Sequence, residues 1–132
     1  MTGTAHTFTK QERMTSRKLI ERLFIGGGGR SMSVFPLRAV YMLTGRESGA
    51  AGVQVLISVS KRHFKRAVRR NRVKRQIREA YRLNKDILAP CIDRHPDKTL
   101  ALALIWQADE LHDSRDVRTS VRALLHRIAE KI

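Results

Sequence analysis

The densest concentration of chemically active side chains lies between residues 61 and 82, in the segment KRHFKRAVRRNRVKRQIREAYR. It contains eleven Lys or Arg and a single acidic residue, Glu79, and so carries +10 of the chain's formal charge of +15. Guanidinium and ammonium groups bind phosphate oxygens, and a planar guanidinium can form two such hydrogen bonds at once. The segment therefore predicts a surface for a polyanionic partner.

A helical period divides this segment into two faces. At about 100° per residue, one face collects the apolar residues Val73, Ile77, Ala80 and Tyr81. Another face collects Asn71, Arg75, Arg78 and Arg82. Like charges at this density repel one another unless phosphates neutralise them, so we favour a nucleic-acid interface over a merely solvated face. Such a helix also fits a DNA major groove, so the charge pattern by itself does not identify the nucleic acid.

Independent nuclease chemistry is not predicted, because it needs clustered carboxylates or histidines. The acidic residues are scattered apart from Asp109, Glu110 and Asp113, and we interpret those near 113 as capping of the last helix. The histidines show no recurring metal-ligand spacing, although His63 could contact a phosphate beside the basic helix. Cys91 is the single cysteine, which excludes an internal disulfide. We expect no catalytic residue, metal site or cofactor in the protein alone.

Length and composition indicate one cytoplasmic domain. A chain of 132 residues with 42% hydrophobic content can fill one core, and we take residues 1–132 as a single domain. No apolar run approaches the roughly 18 residues that span a bilayer, and the polar start lacks the apolar core of a secretion signal. A membrane is therefore not an expected partner.

Periodicity and turn residues predict the elements that hold the basic helix. Residues 1–14 form a loose N-terminal arm with a possible capping box from Thr9 to Glu12. The further elements are a helix from Thr15 or Ser16 to the glycines at 26–29, two short strands between 31 and 43 divided by Pro36, strands at 53–60 and 99–107, and a closing helix capped by Asp113. This order predicts an α/β sandwich with a mostly antiparallel sheet covered by helices.

The strand at 53–60 has one apolar face, which we expect to meet a helix. Its other face is smaller and more polar than a core face normally is, with Gln54, Leu56, Ser58 and Ser60. This second face is a candidate floor for RNA.

Two stretches identify a family. Ile57-Ser58-Val59-Ser60-Lys61-Arg62, followed by the run from Arg70-Asn71-Arg72 to Glu79-Ala80-Tyr81-Arg82, resembles the signature of the bacterial ribonuclease P protein subunit. The Arg-Asn-Arg core is its most distinctive part. Supporting matches cover most of the chain: the first helix ending in Leu23-Phe24, the strand with Tyr41, the strand at 99–107 and the closing helix.

The resemblance implies a two-layer α+β sandwich with a ribosomal-protein-like, four-stranded sheet and a left-handed βαβ crossover at the basic helix. It also implies that catalysis belongs to an RNA subunit, which uses bound Mg²⁺ to hydrolyse the phosphodiester between the 5′ leader and the body of a precursor tRNA. The implied partners are this catalytic RNA and precursor tRNA, with no DNA. A purely structural RNA binder, such as a ribosomal protein, is the main alternative, and a DNA-binding regulator is a weaker one.

By resemblance, the basic helix and its entry loop contact the catalytic RNA near the cleavage site. The residues assigned to RNA contact are Lys61, Arg62, Arg66, Arg70, Asn71, Arg72, Lys74, Arg75 and Arg78. This chain departs from the family pattern between Lys61 and Val68, where it is one residue longer than usual and lacks the usual glycine.

The resemblance also implies a cleft between sheet and helix for the single-stranded leader, where aromatic rings stack on bases without strict sequence choice. Our candidates for this cleft are Phe24, Tyr41, Ser58 and Ser60, with core packing as the alternative for both aromatic residues. The family commonly has an aromatic residue one turn before Phe24, where this chain has Ile20. Phe8 or Phe35 could take its place.

Overall fold

The structure, a computed structural model, describes residues 8–132. These residues fold around a four-stranded sheet. The strands are β1 (Arg30–Val34), β2 (Leu37–Gly45), β3 (Val53–Ser58) and β4 (Lys98–Trp106). The helices are α1 (Arg17–Phe24), α2 (Ala67–Asn84), α3 (Ala89–Asp93) and α4 (Ser114–Lys131). The predicted order of elements is confirmed, while the short α3 and the 3-10 turn before it, Lys85–Leu88, were not predicted.

The sheet has the spatial order β1-β2-β4-β3. β2 pairs antiparallel with both β1 and β4, whereas β3 lies parallel to β4. The predicted α+β fold with a mostly antiparallel sheet is therefore confirmed. Helix α2 lies in the connection from β3 to β4, so this connection crosses over between two neighbouring parallel strands. The left-handed sense of the crossover stays an expectation from the resemblance.

Alternation along β4 decides which side chains meet which helix. Leu100, Leu102, Leu104 and Trp106 share one face and are almost fully buried in a core with α2 and α4. Ala101 and Ala103 point to the opposite face, where they pack with Leu19 and Leu23 of α1. Each buried leucine contributes on the order of 2 kcal/mol. The sheet thus has α2 and α4 on one face and α1 on the other, and we call the second the α1 face.

Residues 8–14 pack against the domain, so the expected loose arm is wrong for this part of it. The Met14 amide donates a hydrogen bond of 2.9 Å to the Val55 carbonyl, and the Met14 side chain is buried against α1. Lys85 Nζ lies 3.0 Å from the Glu12 carboxylate. The capping box is present, with the Thr9 amide donating to Glu12 Oε1 over 3.2 Å. Residues 1–7 of the expected arm lie outside the described residues.

Helix α1 has the predicted start and stop. Ser16 caps it by accepting a hydrogen bond from the Leu19 amide over 3.3 Å. After the helix, Gly27 has a φ of 73°, in the left-handed region that favours glycine. A Cβ on Gly29 would lie 2.3 Å from the Leu23 carbonyl oxygen, so the chain can enter β1 this closely only through a glycine.

Candidate nucleic-acid interface

Burial of one face of α2 determines which of its residues reach solvent. Val73, Ile77, Ala80 and Tyr81 are almost fully buried under the sheet and α4. Helical geometry then turns the opposite side outward. The exposed residues of α2 on that side include Asn71, Arg72, Arg75 and Arg78, while Lys74 is half-buried at its border. The two faces predicted from the period are confirmed.

The beginning of α2 has a strongly positive potential. Arg66 is its N-cap residue, no acidic residue lies in the first turn, and Arg69, Arg70 and Arg72 follow within two turns. A helix N-terminus already carries a partial positive charge from its unpaired amides. Cations placed there are unfavourable for an isolated helix and favourable for one that binds an anion.

The loop before α2 is held by buried residues at both ends. Val59 and Phe64 are in the core, and the amides of His63 and Phe64 donate to the Ser60 carbonyl. The Ser60 hydroxyl accepts a hydrogen bond of 3.0 Å from the Arg62 amide. Lys61, Arg62, Lys65 and Arg66 are all exposed on this loop. The loop therefore presents its cations next to those of α2.

Arg70 has a structural role in this arrangement. Its Nη1 donates to the carbonyl oxygens of Phe64, at 2.9 Å, and of Lys65, at 2.8 Å. Arg70 therefore positions the loop that carries Lys61 and Arg62, and its contact with RNA stays a prediction. No residue between 61 and 66 has a positive φ, so this longer entry loop has no position that requires the missing glycine.

Two further contacts could not be read from the sequence. Gln76 Nε2 donates to the His112 carbonyl, at 3.0 Å, and to the Ser114 hydroxyl, at 3.2 Å, and so ties α2 to the start of α4. His63 Nδ1 lies 2.7 Å from Asp109 Oδ1, which gives this histidine a protein partner. A polar residue beside an apolar helix face was the only available signal for Gln76.

Glu79 is the acidic residue of the basic helix, and it forms an ion pair with Arg82. Arg82 Nε donates to Glu79 Oε2 over 3.0 Å. This hydrogen bond lowers the pKa of the Glu79 carboxyl from its ordinary value, with smaller contributions from the charges of Arg82 and Arg118. Arg82 therefore differs from the exposed arginines earlier in α2, since its guanidinium already has an anionic neighbour.

The four candidates for a leader cleft do not share one surface. Ser58 lies on the α1 face of β3 and is half-buried, and Phe24, at the end of α1, is 42% exposed. Tyr41 is only 4% exposed and belongs to the opposite face, in the core with α2 and α4. Ser60 follows the strand and caps the entry loop. For Tyr41, the structure supports the alternative of core packing.

The two substitute aromatic residues lie away from the α1 face. Phe8 packs edge-on against Tyr81, with 5.8 Å between ring centroids, beside the core under α2. Phe35 is at the β1–β2 turn, before the cis peptide to Pro36, and its ring contacts that of His112 at 5.6 Å. Phe35 is 66% exposed, so it remains available for stacking on a base.

Residues 8–132 contain neither a group of metal-ligating side chains nor a membrane-spanning helix. Between residues 8 and 132, no three or more His, Cys, Asp or Glu side chains are grouped so that they could hold a metal ion. No helix in the same range is long and apolar enough to cross a membrane. Among the described residues, the basic face of α2 and its entry loop form the candidate site.

A profile of the ribonuclease P family matches residues 8–129. The chain belongs to the ribonuclease P protein family. Membership in this family implies a role in tRNA processing as part of an endoribonuclease. It also implies that the protein has an RNA partner.

Relatives support this assignment. The ribonuclease P protein component of Porphyromonas gingivalis (strain ATCC 33277) is 44% identical over 125 residues, which cover 94% of this chain and 88% of that protein. The component from Chlorobaculum tepidum is 34% identical over 116 residues, covering 83% of this chain and 74% of the relative.

Solved structures of ribonuclease P proteins have the same fold. The protein from Thermotoga maritima superimposes with a TM-score of 0.62 at 25% identity, covering 87% of this chain and 97% of that one. The protein from Staphylococcus aureus gives a TM-score of 0.65 at 21% identity, covering 90% and 95%, and is evidence for the fold alone.

Proposed function

We propose that this protein is the RNA-binding subunit of a ribonuclease P in which the RNA carries out catalysis. In this function α2 and its entry loop bind the catalytic RNA, and the protein assists removal of the 5′ leader from precursor tRNA. The observation that carries the proposal is the exposed face of α2, where Asn71, Arg72, Arg75 and Arg78 project from a helix whose opposite face is buried.

The exposed face fits a sugar-phosphate backbone better than a folded acidic protein. Arg72, Arg75 and Arg78 follow one another at a spacing of three residues, which places neighbouring cations about 5–6 Å apart at their Cβ atoms. This regular repulsion along one helix is relieved by an anion with regularly spaced charges. Asn71, next to these arginines, offers both a donor and an acceptor to a base edge or a ribose hydroxyl.

The proposed contact with the leader uses the α1 face and its exposed aromatic residue. Phe24 offers an apolar ring at the end of α1, and Ser58 offers a hydroxyl on β3. Stacking on a ring does not select one base over another, which suits leaders of different sequence. Phe35, which is more exposed than Phe24, is a second stacking candidate near the start of α4.

We assign the catalytic step to the RNA, as the resemblance implies. Among the described residues, no three or more His, Cys, Asp or Glu side chains are grouped so that they could hold a metal ion. Mg²⁺ held by the RNA would activate the attacking water and stabilise the leaving oxygen. The protein's cations would lower the repulsion between the RNA and its RNA substrate, and so reduce the concentration of Mg²⁺ that the pair requires.

Leader removal from a precursor tRNA at low Mg²⁺ tests this function, with the cognate catalytic RNA alone, the protein alone and the two together. Stimulation only in the mixture is expected, and a protein with both Arg72→Ala and Arg75→Ala should lose most of it. The matched control carries Arg127→Ala and Lys131→Ala, which remove the same charge from exposed positions of α4. The control should stimulate like the unmodified protein.

Two results would contradict the proposal. Cleavage by the protein alone would move catalysis to the protein. Tight, salt-sensitive RNA binding without stimulation would instead indicate a structural RNA-binding protein.

A further inference from the structure

A second basic surface lies between the end of α2 and the first half of α4. It is a groove of about 310 Å³ lined by Leu83 and Asn84 from one helix and by Arg115, Arg118, Thr119 and Arg122 from the other. All three arginines are exposed. We call this surface the α2–α4 groove. None of its residues belongs to the Arg-Asn-Arg segment of α2.

The three arginines stand where an isolated helix would disfavour them. Arg115 and Arg118 are in the first two turns of α4, near the positive end of the helix dipole. Their spacings, three residues from Arg115 to Arg118 and four from Arg118 to Arg122, place like charges beside one another on the helix surface. An anion in the groove would relieve both sources of repulsion.

No acidic residue lines the α2–α4 groove, and those of α4 and its cap have other contacts or lie farther along the helix. Asp113 accepts the Asp116 amide at 2.9 Å, and Asp116 Oδ2 lies 4.0 Å from His112 Nδ1. Glu130 lies eight residues beyond Arg122, roughly 12 Å along the helix axis. Glu79, which interacts with Arg118, already pairs with Arg82. The lining itself consists of three arginines and three uncharged residues, so the groove has a net positive charge.

The groove continues the basic face of α2 along the line where the two helices pack. Gln76 fixes the start of α4 against the middle of α2 through His112 and Ser114. From that point α4 carries Arg115, Arg118 and Arg122 past the end of α2. The three cations cover about 10 Å of helix axis, a length comparable to about three phosphates of one nucleic-acid strand.

We propose that the α2–α4 groove binds the sugar-phosphate backbone of the same RNA that binds the basic face of α2. This inference rests on the proposed function, because it assumes that α2 binds RNA. Arg118 and Arg122 provide the main phosphate contacts, and Arg115 extends the surface toward the middle of α2, where Gln76 contacts the start of α4. The contacts are with phosphates, so they add affinity and orientation without selecting a base sequence.

Equilibrium binding of the cognate catalytic RNA at several salt concentrations tests the groove. One variant carries Arg118→Gln and Arg122→Gln, and a matched control carries Arg127→Gln and Lys131→Gln, on exposed positions of α4 that do not line the groove. A third variant carries Arg72→Gln and Arg75→Gln in α2. Circular dichroism and thermal melting of each protein establish that it is folded before binding is measured.

The groove variant should lose roughly tenfold in affinity and lower the slope of log K against log salt by about 1.5, as expected for two lost phosphate contacts. The control should change neither quantity beyond what its lost net charge causes at a distance. If groove variant and control bind alike while the α2 variant is weakened, the groove proposal is wrong and the proposed function stands. If the α2 variant also binds like the unmodified protein, the proposed function itself fails.

Discussion

The exposed face of α2 and the α1 face of the sheet are both candidate RNA surfaces, but they are built differently. On α2, four exposed polar residues follow from one helical period, because the other side of the same helix is buried. On the α1 face, Ser58 comes from β3 and Phe24 from a helix far away in sequence. A surface on one helix is thus defined by local spacing, whereas a surface assembled from several elements depends on how they pack.

The difference also appears in the chemistry of the two surfaces. The face of α2 is cationic and offers charge-assisted hydrogen bonds to phosphates, so its affinity should fall steeply with salt. The α1 face offers an apolar ring and a hydroxyl, so its contribution should depend little on salt. Substitutions that separate burial, charge and stacking test this comparison.

The largest effect is expected from the buried side of α2. Ile77→Ala removes a fully buried side chain and should lower the free energy of unfolding by about 2–5 kcal/mol. Arg75→Ala, on the exposed face of the same helix, should change the free energy of unfolding by less than about 0.5 kcal/mol. Urea unfolding of both variants measures the contrast. An equal loss of stability in the two would show that the faces of α2 are assigned wrongly.

The next largest effect distinguishes Phe24 from Tyr41, the two aromatic candidates for contact with the leader. Phe24→Ala should weaken binding of a precursor with a leader by about 1–3 kcal/mol relative to tRNA without one, and leave binding of the catalytic RNA unchanged. Tyr41→Ala should act mainly on stability, because the ring is in the core. Binding of both tRNA forms to the holoenzyme, together with unfolding curves, gives the two readouts. A leader-specific loss with Tyr41→Phe would contradict this division.

The smallest effect concerns the acidic residue of the basic helix. Glu79→Gln removes a negative charge beside the RNA surface and should tighten RNA binding by roughly two- to threefold. Its pKa is lowered in the folded protein by Arg82, so the pair stabilises the fold above the unfolded pKa of Glu79 and this stabilisation is lost as pH falls through the folded value. The melting temperatures of the unmodified protein and of the Glu79→Gln variant should therefore become equal at acidic pH. Weaker RNA binding by Glu79→Gln would mean that the Glu79–Arg82 pair itself positions the RNA.

Tyr41 illustrates why the leader surface could not be read from the sequence. Residues 39–42 of β2 are buried on both faces of the sheet, since α1 covers one side and α2 with α4 the other. A strand buried on both sides does not alternate between polar and apolar residues, so hydropathy alone does not tell which of its faces meets which helix. β4 is buried on both sides as well, but large leucines and small alanines alternate along it, and this difference in size separates its two faces.

Sequence by itself determined the elements whose signal is local. The two faces of α2, the cap at Asp113 and the stop of α1 at its glycines all follow from spacing within a few residues and agree with the structure. Charge density by itself indicated a polyanionic partner, and the Arg-Asn-Arg segment carried the resemblance to a family that the comparisons show.

Tertiary structure alone decided the contacts between segments distant in the chain. Met14 reaches Val55, Gln76 ties α2 to α4, and the arginines of α4 meet the end of α2 in one groove. These contacts form because the buried faces fix how the elements pack, and periodicity identifies such a face without naming the partner it meets. The polar residues at the margins of those faces are then brought together by that packing.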